Sequence, residues 1–198
     1  MRVTELTEDL ARSLIRDAEQ GDRDAVWERL QDLIVRLSAD EKVRFALRIF
    51  RDHRFIEASA SSGFLTWLSV MVFDLREGRA PLKSDVSPVL RGEIVDALRV
   101  SFGRYADPQS KHVVGVILGE QLADATSLDA LVELAQSDAA ADRDEIAHAL
   151  HHLAIDAPDP DVRAAGEARL RQMADDPDED VRKSVAALIR QVDAGEAI

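Results

Sequence analysis

Pro158-Asp159-Pro160-Asp161-Val162-Arg163 returns nineteen residues later as Pro177-Asp178-Glu179-Asp180-Val181-Arg182, and these two stretches decide the fold. The match continues with Ala168 over Ala187, Arg171 over Arg190 and Gln172 over Gln191, so that eight of the fifteen positions from 158 to 172 are identical. Nineteen residues make one helix of about 22 Å and a four-residue turn. An aspartate followed by proline or by an acidic first turn is a helix start. The unit repeated is therefore a turn with the helix it opens. Asp40-Glu41-Lys42-Val43-Arg44 is a third copy of the same start, far upstream.

Outward from the repeat, nearly every segment carries helical spacing. Apolar residues at Leu10, Leu14, Ile15 and Ala18 predict a helix over 7–20, closed by Gly21. Val26, Trp27, Leu30, Leu33, Ile34 and Leu37 predict a second. Ser38-Ala39-Asp40-Glu41 is a capping box that opens a third, with Val43, Leu47 and Phe50 facing inward. Ser87-Pro88 and Asp107-Pro108 each set a cap residue before a proline at the first helical position. Further helices are expected near 127–137, 142–154, 161–174 and 179–192. Val113 to Leu118 has the composition of a buried strand, but its Asp-Pro start and the lack of a second strand favour helix. Phe64 to Leu75 is apolar almost all round, as in a helix buried on several sides, which implies a thickened, irregular middle. The longest loop is expected from Gly78 to Pro88.

About ten helices, short connections and a repeated start give an all-α chain. The pattern resembles the HEAT and HEAT-like repeats, in which two antiparallel helices form a unit of roughly forty residues. Asp178-Glu179-Asp180-Val181-Arg182-Lys183-Ser184-Val185-Ala186-Ala187-Leu188 resembles the family's second helix. Leu128 to Leu134 resembles a first helix, and Asp142 to Leu153 its partner. The resemblance is clearest over 127–192, fair over 24–53, and poor over 54–105. It implies an α-α superhelix, a HEAT-like solenoid forming one domain over 1–198. It also implies that Asp178 with Arg182, and Asp159 or Asp161 with Arg163, bridge neighbouring repeats.

Composition sets the outer bounds. At 198 residues, with 46% hydrophobic and 32% charged residues, the chain has the balance of a globular protein. The absence of cysteine excludes disulfides, thiolate metal sites and a cysteine nucleophile. A net charge of -13 disfavours nucleic acid and anionic membranes as partners. Acidic residues near the N-terminus stand where a secretory signal would be apolar, and the longest apolar run falls short of the roughly twenty residues a bilayer requires. A cytoplasmic location is expected. Arginine outnumbers lysine 21 to 4, as in a GC-rich bacterial genome.

Chemistry-bearing patterns are few. Ser61-Ser62-Gly63 matches no nucleophile elbow, and the nine glycines are scattered instead of forming a phosphate loop. Arg44, Arg48 and Arg51 line one helix face, with Arg54 following, and read as a solvated face. Asp144, His148 and His152 fall at four-residue spacing with His151 beside them. Two histidines so spaced can hold zinc, yet the intervening glutamate of His-Glu-x-x-His is absent, and so are the His-Glu dipeptides of HEAT-like iron hydroxylases. With Ile146, Leu150 and Leu153 as core, these histidines are expected to face solvent. No metal and no cofactor is expected.

Acidic turns are the strongest clue. Asp175, Asp176, Asp178, Glu179 and Asp180 crowd into six residues, and Asp138, Asp142, Asp144 and Glu145 lie one repeat earlier, on the same edge of a solenoid. Carboxylates at helix N-termini satisfy free N–H groups, and stacked on one rim they also attract a basic partner. Asp175, Asp176, Asp178, Glu179, Asp142, Asp144 and Glu145 are the candidate partner-binding residues. The expectation is a non-catalytic adaptor or an inhibitor, for instance an immunity protein that neutralises a basic toxin. Its partner would be another protein, not a membrane, a nucleic acid or a small molecule. The alternative is a HEAT-like enzyme or cofactor-loading factor, related to bilin lyases or DNA glycosylases.

Overall fold

The computed structural model describes residues 38–50, 87–105 and 108–195, together with Ser13 and Arg16. Of the expected helix over 7–20 only Ser13 and Arg16 are described, both as helix; the helix opened at Asp22, the 64–75 segment, the Gly78–Pro88 loop before Ser87, and Arg51 and Arg54 lie outside the described residues. Among the described residues there are seven α-helices and no strand. They are α1 (Ala39–Phe50), α2 (Pro88–Phe102), α3 (Pro108–Val116), α4 (Ala125–Leu134), α5 (Ala140–Asp156), α6 (Pro160–Gln172) and α7 (Glu179–Ala194). A π-helical segment, Ile117–Leu122, follows α3, and a 3-10 turn, Met173–Asp175, follows α6. The chain forms two compact units, Met1–Val113 and Val114–Ile198, whose boundary falls inside α3.

In the first unit α1 packs on α2. The capping box is formed: Ser38 N–H donates to Glu41 Oε2 at 2.8 Å, and Glu41 N–H donates to Ser38 Oγ at 3.4 Å. Those bonds to the ionised form hold the Glu41 carboxyl below its ordinary range. Val43, Leu47 and Phe50 of α1 are buried, as are Leu90, Ile94, Leu98 and Phe102 of α2, the helix on which α1 packs. Ser87 caps α2 by accepting from Leu90 N–H, with Pro88 at the first position, as its sequence requires.

The second unit is built around α5, which packs on the π segment, α4, α6 and α7. Val113 to Leu118 is helical throughout, first α and then π. The π turn brings Gly119 against the backbone of Ala149 on α5, closer than any side chain would allow. It ends at Ala123, a fully buried residue at φ 41°, whose N–H donates back to Leu118 O at 3.2 Å. A left-handed alanine costs about 1–2 kcal/mol, offset here by burial among Leu153, Ala157 and Val162. Asp124, Asp159 and Asp178 cap α4, α6 and α7 with their carboxylates.

Candidate functional site

Three arginines near helix starts share one geometry. Arg143 Nη1 donates to Ser137 O at 2.9 Å, Arg163 Nη1 to Ala157 O at 2.6 Å, and Arg182 Nη1 to Asp176 O at 2.7 Å. In each case the acceptor lies six residues upstream. Side chains lean toward the N-terminus of their helix, so an arginine in the first turn reaches back over its own turn and satisfies a carbonyl there. This corrects the pairing expected from the resemblance. Asp178 and Asp159 spend their carboxylates capping α7 and α6, and Arg182 and Arg163 bind backbone, not those carboxylates.

The side-chain bridge between segments is a different one. Arg143 Nε and Nη2 donate to Asp176 Oδ2 and Oδ1 at 2.7 and 2.9 Å. Asp176 Oδ1 also accepts from Asp178 N–H at 2.9 Å. The two side chains are only 12% and 5% exposed, and the Arg143 fork holds the Asp176 carboxyl below its ordinary range. Sequence reasoning missed Arg143 because it lies in Asp142-Arg143-Asp144, without the valine that marks the other copies. Distance from the turn, and not the neighbouring residue, was the usable signal.

A groove of about 500 Å³ opens beside this pair. Its walls are the ends of α4 and α6 with the turns that follow them, and Arg143 and Leu150 of α5; Val132 and Met173 supply apolar surface, and Asp138 and Asp175 are exposed along it. The expected acidic rim is thus divided by the structure. Asp175 and Asp176 line the groove, joined there by Asp138. Asp176 and Asp142 are each only 8% exposed, the latter accepting from Ser137 Oγ at 3.0 Å. Asp178 caps α7, Glu179 pairs with Lys183 at 2.8 Å, and Asp144 and Glu145 are half-buried on α5. Of the seven, Asp142, Asp144, Glu145, Asp178 and Glu179 do not line the groove.

The histidine expectation needs correction at one residue. His151 is fully buried, and among the described residues neither ring nitrogen has a hydrogen-bond partner. Because α5 packs on four elements, its buried arc extends past Ile146, Leu150 and Leu153 to take in Ala147 and His151. Burial, followed by the nearby His152 and His148, pushes the imidazole below its ordinary pKa. His148 Nε2 lies 3.5 Å from Ser184 Oγ, and His152 Nδ1 lies 3.5 Å from Asp156 Oδ2. Among the described residues no group of three or more His, Asp or Glu side chains is placed to hold a metal ion, and no helix is long and apolar enough to cross a membrane.

Charge is distributed very unevenly. Residues 1–113 hold nineteen acidic and eighteen basic side chains, whereas residues 114–198 hold nineteen acidic and seven basic, so the second unit carries -12 of the net -13. No protein-family model matches the chain, and neither a curated protein nor a solved structure matches it.

Proposed function

We propose that this chain is a non-catalytic protein–protein interaction module, a HEAT-like α-solenoid whose second unit takes a basic protein partner. The observation that carries the reading is the confinement of nearly all the net charge to residues 114–198. A field of that sign, concentrated on an 85-residue unit, raises the association rate of cationic proteins and repels nucleic acid. The reach-back arginines recur at intervals of twenty and nineteen residues, which supports a stacked helical repeat. The concrete form is an inhibitor or immunity protein acting in the bacterial cytoplasm on a basic toxin such as a nuclease.

The test is affinity capture by the full chain from its host's lysate, followed by association kinetics of the captured protein across a salt series. A stoichiometric basic partner whose association rate falls steeply between low and moderate salt is the expected result. A neutral or acidic partner, or a rate indifferent to salt, overturns the reading.

A further inference from the structure

The groove between the ends of α4 and α6 has features that define its occupant. Arg143, although part of the wall, cannot receive an anion. Four of its donor contacts are spent, two on Asp176 and two on the carbonyls of Ser137 and Asp138. Arg169, also in the wall, is exposed and gives one N–H to Gln172 Oε1 at 2.8 Å, so its positive charge stands in the groove beside the carboxylates. The exposed carboxylates of Asp138 and Asp175 are held by no hydrogen bond or ion pair among the described residues. Two helix C-termini, with their partial negative charge, end in the same wall at Ala135 and Met173. Two helix starts lie beside them: that of α7 is answered by Asp178, whereas that of α5, at Ala140, has no side-chain cap and has Asp138 two residues before it.

We infer that this groove is the docking site for an extended cationic segment of another protein, with lysine or arginine side chains answered by Asp138 and Asp175 and an aliphatic neighbour resting on Val132 and Met173. The inference rests on the interaction-module reading and names the surface that would serve it. A volume of about 500 Å³ lies in the range of clefts that bury a ligand of several side chains. A second copy of this chain is disfavoured, because its own second unit would bring -12 against -12. A simple polyamine would meet the carboxylates but leave the apolar surface of Val132 and Met173 uncovered.

The test is a fluorescence anisotropy titration of the full chain with a labelled peptide that alternates arginine and leucine. Two companion peptides carry glutamate for arginine, or serine for leucine. The double variant Asp138→Asn, Asp175→Asn is expected to raise Kd about tenfold at low ionic strength. The double variant Asp129→Asn, Asp161→Asn removes the same charge from exposed positions outside the groove and is expected to change Kd less than twofold. The glutamate peptide should not bind, and the serine peptide should bind at least fivefold more weakly. Equal losses in the two double variants, or equal binding of the leucine and serine peptides, would overturn the groove while leaving the module reading intact. Absence of peptide binding overturns the groove as well. If the lysate also yields no basic partner, both readings fall.

Discussion

Arg143 and Asp176 stand thirty-three residues apart and meet fork to fork, Nε on Oδ2 and Nη2 on Oδ1, almost out of reach of solvent. The pair ties the start of α5 to the turn that precedes α7. It thereby fixes one helix hairpin against the next at the place where the groove opens.

Removing either partner leaves the other charge with only its backbone bonds, the Asp178 N–H for Asp176 and the Ser137 and Asp138 carbonyls for Arg143, which costs about 2 kcal/mol. Arg143→Ala and Asp176→Ala should each lower the urea midpoint by that order, and the double variant should cost clearly less than the sum of the two. Additive losses in the double-mutant cycle would mean that the pair is not coupled. The sign with pH follows from the depressed Asp176 carboxyl. Its contribution is present above the unfolded aspartate value, about 3.9, and is lost as pH falls through the still lower folded value.

The other two reach-back arginines act on backbone carbonyls alone, Arg163 on that of Ala157 and Arg182 on those of Asp176 and Pro177. Arg163→Ala and Arg182→Ala should each destabilise by about 1 kcal/mol, short of Arg143→Ala. Binding by the folded variants should remain. If Arg182→Ala abolished binding at an unchanged melting temperature, that residue would belong to the interface instead.

His151 sets a different window. Its folded pKa is depressed, because the imidazole sits in the core and His152 and His148 lie near it on α5, while Asp156 acts weakly in the opposite direction. The stability it contributes is complete above the unfolded histidine value of about 6.5, and is lost as pH falls from there through the folded value. Urea midpoints of the parent chain should therefore decline between pH 6.5 and 5, and His151→Leu should flatten that decline. At pH 7.5 the variant should stay within about 1 kcal/mol of the parent, since an apolar side chain replaces an unpartnered buried polar one. An identical slope in both proteins would show that His151 is not what titrates.

The helical glycines should diverge. A Cβ built on Gly119 would overlap the backbone carbonyl of Ala149, which cannot yield, so Gly119→Ala should cost about 3 kcal/mol. On Gly166 it would meet the terminal Cδ2 of Leu153 at 2.9 Å, which can move. Gly92→Ala meets no atom of the described residues within 4 Å and should stabilise by about 1 kcal/mol through helix propensity. Thermal denaturation of the three variants checks the order, and a Gly119→Ala protein as stable as the parent would contradict the close packing of the π turn.

Local chemistry made much of this legible. Ser38, Ser87, Asp159 and Asp178 are helix starts because a short polar side chain can take an orphan N–H, and each does so. The π turn at Ile117–Leu122 and the left-handed Ala123 were not legible, since both depend on how Gly119 nests against α5 and not on their own residues. His151 escaped because periodicity assumes one buried face, whereas α5 is enclosed by four neighbours. In the acidic turns, sequence registers every carboxylate alike. Only packing separates Asp176, locked in an ion pair, from Asp175 beside it, which faces the groove.

The reach-back arginine takes its acceptor from six residues upstream, so each junction carries its fastening inside the segment it fastens. A tandem duplication of nineteen or twenty residues would therefore copy a helix together with the means of anchoring it, and a clean deletion would remove both. Growth or shortening by whole helices leaves no orphaned partner elsewhere in the chain. The Arg143–Asp176 bridge is the exception, because it spans thirty-three residues and would tolerate no change of length between its ends.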